Sequence, residues 1–531
     1  MILDCTLRDG GFINNWEFGY SSIRSVVSRL DRAGIEIIEV GYLNAKHEYD
    51  KNRTMFPDTE SINLTLSGLS VSQAMLVAIT DFGTCPLENI APRSESIIDG
   101  IRTTFKKNEI DAALEFCTQL KKKGYKIFLN PVSLTSYTDK EILELFEKIN
   151  VVEPYAVSIV DTYGLMLRDE ILHYIDLIDN NLTSGVKLGY HSHNNQQMAY
   201  ANCSTFLDRR NRHSIIIDTS LFGMGKSAGN ANTELVASYA NKVHNKNYKT
   251  EQLLDCIYTD IMRIYKKTPW GYNLHHYLSA LNDCHHDYIG FLLKKNTLSV
   301  QGIDEIVAQI PQEQKLIYSH TLIEKLYIEY QNISINDTKV CDELKNVLND
   351  NTILLILPGN TVKTHEAEIN KYIEKNNPIL ISVNFLPSYI SPDYVFTGNR
   401  KRYDKLVDFY FTYKNSPKII ATSNILESNI PITYKLNYES LIESEFEIID
   451  NSSVLCLNFL KKLNIKKVAI AGMDGFSIDA EKNFADPFMD MCISMEDLTS
   501  SNVEMKKFID AMRENMALDF ITPSFFDEKE K

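Results

Sequence analysis

The sequence predicts an α/β protein with a (β/α)8 barrel, then a helical extension, then a Rossmann-like α/β domain. Three observations predict it. The first 220 residues alternate short apolar runs with amphipathic stretches. The apolar runs are β-branched and apolar on both faces, as strands of a buried parallel sheet are. The alternation stops after Asn230 and resumes only near Thr352. Eight strand–helix units within about 230 residues fit a barrel better than a doubly wound open sheet, which rarely uses so many.

Taken in order, the barrel strands are expected at Met1–Leu7, Ile35–Tyr42, Ala74–Thr80, Ile101–Phe105, Lys126–Asn130, Tyr155–Val160, Val186–Tyr190 and Ser214–Asp218. Amphipathic segments such as Ser21–Ala33 and Glu109–Lys123 lie between them, the second stopped by Gly124. Residues 1–230 are therefore read as the barrel. Residues 231–340 read as a helical extension, with helices at Glu251–Lys267, Gly271–Asn282 and Gln314–Tyr330 and a polar linker at Gln331–Thr338. In residues 341–531 alternation restarts with strands at Thr352–Leu357, Pro378–Val383, Asp393–Thr397, Lys418–Thr422 and Lys467–Ala471. That is too few for a second barrel and suits an open sheet.

Composition narrows the function. The chain carries 55 basic and 70 acidic residues, a net charge of −15. So acidic a surface argues against nucleic acid as a partner. No apolar run reaches the roughly 18 residues of a membrane span. The opening Met-Ile-Leu-Asp-Cys lacks a basic, then apolar leader, and the nine cysteines are dispersed without a CxxC pair. These features predict reduced thiols and a soluble, multidomain cytoplasmic protein, expected to assemble as a homo-oligomer.

In a parallel barrel, chemistry gathers where strands end at the C-terminal face. Strand one ends in Arg8-Asp9-Gly10-Gly11, strand two in Glu39-Val40-Gly41-Tyr42, and strand seven in His191-Ser192-His193. Strand eight leads into Gly223-Met224-Gly225-Lys226 and on to Gly229-Asn230. His191 and His193 stand two apart on an extended segment, so both imidazoles project from one face. With Asp9 from the neighbouring first strand they make two nitrogens and a carboxylate, a facial set that leaves positions open on a divalent metal. This donor set suits Mn²⁺ or Mg²⁺, and Zn²⁺ is also compatible. A 2-oxo acid would chelate such an ion through its carboxylate and keto oxygen, and Arg8 would steady the developing enolate.

Thr6-Leu7-Arg8-Asp9-Gly10-Gly11, His191-Ser192-His193-Asn194-Asn195 and Gly229-Asn230, in this order, resemble the DRE-TIM metallolyase superfamily over about residues 1–300. The resemblance implies a metal on Asp9, His191 and His193, with Asn230 as a further or supporting ligand, and Arg8 on the enolate. It implies that Gly223–Gly229 is a mobile loop near the substrate, bringing Gly225 and Lys226 there. Gly10-Gly11-Phe12 is most similar to the 4-hydroxy-2-oxovalerate aldolase branch, which implies a 2-oxo acid substrate and an aldehyde. That branch carries a His acid/base three positions after the Asp, where this chain has Phe12. Tyr288 and His285, on a helical segment that contributes to the site in relatives, are the expected replacements. Glu39 and Tyr42 are candidate substrate contacts, although Glu39 better suits a polar network inside the barrel mouth. Lys226 equally suits a solvated loop.

An acetyl-CoA-dependent Claisen acyltransferase on the same barrel is the alternative chemistry. In the C-terminal domain, Leu357-Pro358-Gly359-Asn360-Thr361 runs from a strand through a turn into a helix, where backbone N–H groups can hold phosphate. Together with Asp474 it is loosely similar to the nucleotide-binding half of sialyltransferase-like proteins. That implies a nucleotide or sugar nucleotide at Gly359, Asn360, Thr361 and Asp474, and a bifunctional chain as a further alternative.

Overall fold

The structure, a computed structural model, describes residues 1–295, 297–315, 318–410, 416–427, 430–443, 450–477, 483–486, 489 and 495–527. The chain divides into two compact units, Met1–His286 and Asp287–Lys531. The helices after Asn230, expected as one extension, are thus shared between the two.

In the first unit eight parallel strands close into a barrel: β1 (Ile2–Asp4), β2 (Ile37–Leu43), β3 (Met75–Asp81), β4 (Gly100–Phe105), β5 (Lys126–Pro131), β6 (Ala156–Asp161), β7 (Lys187–Ser192) and β8 (Ile215–Thr219). β1 completes the ring by pairing with both β2 and β8, with Leu3 opposite Ile37 and Asp218. Leu3, Ile37, Val77, Phe128, Ala156 and Ile216 form an apolar plug inside. Two residues further along a strand the side chain returns to the same face. There the buried residues turn polar: Glu39, Asn130, Ser158 and Asp218, joined by Arg102. The interior therefore changes from oil to charge toward the C-terminal mouth. Outside, the helix Tyr20–Ala33 buries Ile23, Val26, Val27 and Leu30 at helical spacing and ends on left-handed Gly34.

The first strand is shorter than expected. It ends at Asp4 because the Asp4 carboxylate accepts the Thr6 N–H at 2.9 Å. The Cys5 carbonyl then accepts the N–H groups of Arg8 and Asp9 at 3.0 and 2.8 Å. Thr6–Asp9 is consequently a helical turn.

The second unit contains a seven-stranded parallel sheet: β9 (Ile353–Ile356), β10 (Ile379–Val383), β11 (Tyr394–Thr397), β12 (Lys418–Thr422), β13 (Tyr434–Leu436), β14 (Lys467–Ala471) and β15 (Ala517–Phe520), in the order β13-β12-β11-β10-β9-β14-β15. Ile353, Leu355 and Leu357 pack on one face and Leu354 and Ile356 on the other, so both faces are covered. β13 and β15 were not expected; one is three residues long and the other is interrupted by Asp519, so neither shows an apolar run. Among the described residues, no helix is long and apolar enough to cross a membrane.

Candidate metal centre and active site

Asp9, His191 and His193 converge: one ligand atom from each lies within 4.8 Å of the others, and all three residues are buried. Each imidazole is held by a bond at Nδ1 that leaves Nε2 for the centre. His191 Nδ1 lies 3.1 Å from the Asp218 carboxylate, and His193 Nδ1 lies 3.1 Å from the Asp161 carbonyl. Such partners behind a ligating His fix its tautomer and ring orientation. His193 Nε2 and the Asn230 amide oxygen are buried polar atoms with no hydrogen-bond partner. A buried atom left unpaired in this way costs free energy that a bound cation would recover. The donor set therefore fits a divalent metal.

Charge around the centre is organised as a chain. Arg8 donates through Nε to Glu39 at 2.7 Å and pairs through Nη1 with Asp9. Glu39 also faces Arg102 at 3.2 Å, and Arg102 pairs with Asp218. Burial opposes ionisation of Asp9, but Arg8 and then His193 outweigh it and hold the carboxyl well below its usual range. Burial likewise opposes the Asp218 carboxylate, and Arg102 with His191 keeps it ionised. Burial lowers His191, keeping it neutral as a ligand must be. Three carboxylates against two guanidiniums leave one negative charge in excess, the sign that receives a cation.

Residues 1–258 match the HMGL-like family. The barrel belongs to the HMGL-like family. Its relatives include an oxaloacetate decarboxylase of Mycobacterium tuberculosis, 25% identical over 51% of this chain and 80% of that protein. A 4-hydroxy-2-oxovalerate aldolase of Thermomicrobium roseum is 26% identical over 46% of this chain and 67% of its own length. Among solved structures, an HMG-CoA lyase of Bacillus subtilis is similar, with 17% identity, 51% of this chain and 94% of that one covered, and a TM-score of 0.41. The family and these relatives mark the barrel as a carbon–carbon lyase.

The glycines of this HMGL-like site serve close approach. A Cβ on Gly225 would fall 2.5 Å from Asp9 Oδ2 and 2.2 Å from Asn230 Nδ2. That approach lets the Lys226 N–H donate to Asp9 at 3.0 Å, while Asn230 Nδ2 donates to the same oxygen at 2.8 Å. The loop expected to be mobile is tied down here, with Asn230 N–H on the Gly223 carbonyl and Ala228 N–H on Asn195. The Lys226 ammonium lies 5.3 Å from the Phe12 ring centre, whereas only its backbone touches Asp9. Gly11 accommodates the Trp16 indole, whose N–H donates to the Arg8 carbonyl at 2.8 Å. Trp16 packs between Phe12 and Tyr42, with ring centres 4.9 and 6.0 Å away. Tyr42 is buried, and burial together with Asp81 raises its phenol well above the usual range. Glu39 is fully enclosed between Arg8 and Arg102, the network arrangement and not an open substrate contact.

Of the expected acid/base residues, His285 is not among the groups that converge with Asp9, His191 and His193, and Tyr288 belongs to the second unit. The Tyr288 hydroxyl, in the second unit, donates to the Gln314 carbonyl at 3.2 Å and accepts the Ser319 N–H at 3.1 Å. His285 stacks on His286 at 4.5 Å, in a group completed by His275 and His276. Within that group His276 is the one tied toward the centre. Its carbonyl accepts from Asn195, two residues beyond the ligand His193. Burial, then His275, His286 and His193, push it down to about 4. The doubled His275-His276 was the available sequence signal.

Gly359, Asn360, Thr361 and Asp474 do come together in the second unit, but they bond one another. Asp474 accepts the Thr361 N–H at 2.8 Å and also its hydroxyl. Gly359 N–H donates to the Gly472 carbonyl at 2.9 Å, and a Cβ on Gly359 would strike Gly472 and Asp474. The helix there is four residues long, Thr361–Thr364. The turn's donors are satisfied internally, which counts against phosphate at this turn.

Proposed function

We propose that the barrel cleaves, or in reverse forms, the C3–C4 bond of a 4-hydroxy-2-oxo acid, giving pyruvate and an aldehyde through an enolate. The convergence of Asp9, His191 and His193 beside the Arg8 guanidinium carries this reading. A divalent cation on these three residues, Mn²⁺ or Mg²⁺ with Zn²⁺ compatible, supplies Lewis acidity when bound. Asp218 and the Asp161 carbonyl hold the two imidazoles to their task. Arg8, anchored through Nε to Glu39, keeps a permanent charge and further N–H donors for the developing oxyanion. On cleavage the 4-hydroxyl loses a proton as the bond breaks, and C3 of the enolate gains one. Phe12 cannot carry that proton. His276, with its Nδ1 buried and without a partner, is the candidate carrier.

Phe12 also favours a second reading, β-decarboxylation of a 2-oxo diacid. There carbon dioxide departs, so no hydroxyl proton has to be removed; the enolate is stabilised and C3 then takes one proton from water. The test supplies the metal-loaded full chain with 4-hydroxy-2-oxovalerate or with oxaloacetate, with an Arg8→Lys control for metal-only background. Pyruvate with stoichiometric acetaldehyde supports the aldolase; enzyme-dependent pyruvate from oxaloacetate alone supports the decarboxylase. Neither product, together with no deuterium exchange into the pyruvate methyl in D₂O, would refute both.

A further inference from the structure

The second unit holds a cavity of about 660 Å³ at the C-terminal ends of its sheet. Its walls include Leu357–Gly359 after β9, Asn384 after β10, Asn399 after β11 and Gly472–Asp474 after β14. β9 is an interior strand, from which the chain runs outward through β10 to β13 before crossing back to β14 on its other side. That reversal makes the cavity the topological switch point, where open parallel sheets bind ligands.

A cation in the wall gives the place a chemistry. Arg402 lines the cavity and is 8% exposed. Its Nη2 donates to the Met489 carbonyl at 2.6 Å, and its guanidinium lies 5.9 Å from the centre of the Phe484 ring. Among the described residues no carboxylate comes within ion-pair distance of it. Burial disfavours its charge, and Asp486 offsets this only in part. The acids that line the cavity are already engaged: Asp474 with Thr361, Asp450 with the Tyr327 hydroxyl, and Glu504 with Lys507. A guanidinium has five N–H donors, and burying one with no carboxylate in contact is costly, so among the described residues the unmatched charge here is positive.

We propose that this cavity binds a phosphorylated small molecule of nucleotide size, its phosphate on Arg402 and its ring-bearing part against Phe476 and Phe484. The two phenyl rings lie 6.2 Å apart at 68°, forming an apolar corner of the cavity. The volume is in the range of small-ligand sites, about 300–1,000 Å³. This places the phosphate away from Gly359–Thr361, whose donors are spent, and it does not rest on the barrel's chemistry.

The test titrates the full chain calorimetrically, with EDTA present so that no barrel metal captures phosphate. The probes are the four nucleoside monophosphates, ADP, UDP, glucose 1-phosphate and inorganic phosphate. At least one organic phosphate is expected to bind more tightly than about 1 mM. Arg402→Gln should weaken it by about tenfold or more, as loss of a charge-assisted contact does. Arg400→Gln, whose side chain pairs with Asp404 at the helix start, should leave it within about twofold. Hydrogen exchange on the wild-type chain, which needs no variant to fold, should show ligand protection in residues 398–406 and 472–477. No binder in the panel, equal binding by Arg402→Gln, organic phosphates no tighter than inorganic phosphate, or protection confined to the barrel would each overturn the proposal.

Discussion

The two units bury charge in opposite ways. In the barrel, Arg8, Asp9, Glu39, Arg102 and Asp218 form an unbroken chain in which every guanidinium meets a carboxylate. One negative charge is left over, beside two imidazoles whose free nitrogens point to one place. In the second unit Arg402 is also buried, yet it donates to the Met489 carbonyl. Charges that pair internally hold a geometry; the charge left over states what must arrive. A cation completes the first region and an anion the second.

The largest effect should come from breaking the barrel's balance. Asp9→Ala removes the carboxylate of the candidate metal group and one of the two carboxylates that pair with Arg8. Divalent metal, counted by emission spectroscopy after desalting, should vanish, with turnover falling about a thousandfold or more. Retention of stoichiometric metal would show that the negative excess is not its seat. Arg8→Lys should keep the metal while kcat falls about a hundredfold or more, because an ammonium cannot span Glu39 and Asp9 together. Near-normal kcat in this variant would remove Arg8 from the chemistry and leave it a structural cation like Arg102.

Asp218→Asn sharpens the comparison from behind the ligand. Metal affinity, measured by competition with a chelator, should fall about 10- to 100-fold as His191 loses its orienting carboxylate. An unchanged affinity would mean that Arg102 and packing alone hold the ring. The smallest effect concerns pH. His276 is near 4 in the folded chain and near about 6.5 when unfolded, so the unfolded chain binds more protons between these values. Stability should therefore fall as pH drops through that window. His276→Asn should make the decline shallower by about one proton in urea titrations at stepped pH. Identical slopes would place the imidazole in water and withdraw it as a proton carrier.

Much of the first unit was legible because its signals are local. Eight apolar runs separated by amphipathic helices specify a parallel barrel without knowledge of any contact, and the His191–His193 spacing puts two imidazoles on one face. Asp9 was expected from strand order, since in a closed ring strand eight sits between strands one and seven, and the helical turn after strand one carries it there. The second sheet was legible only where its strands are long and apolar; β13 and β15 are too short or too polar to announce themselves.

Tertiary structure decided which polar groups meet. Asp218 and Arg102 are 116 residues apart, and Asp9 and Asn230 are 221 apart, so neither pairing is written in any local pattern. It decided that Glu39 is walled in by two guanidiniums, that Tyr288 spends its hydroxyl on backbone, and that Asp474 closes the Thr361 turn. Among the described residues it also left Arg402 without an acid at ion-pair distance, which no periodicity forecasts. Periodicity reports which face of an element is buried; the partner of a buried charge depends on closure over distances that no sequence window spans.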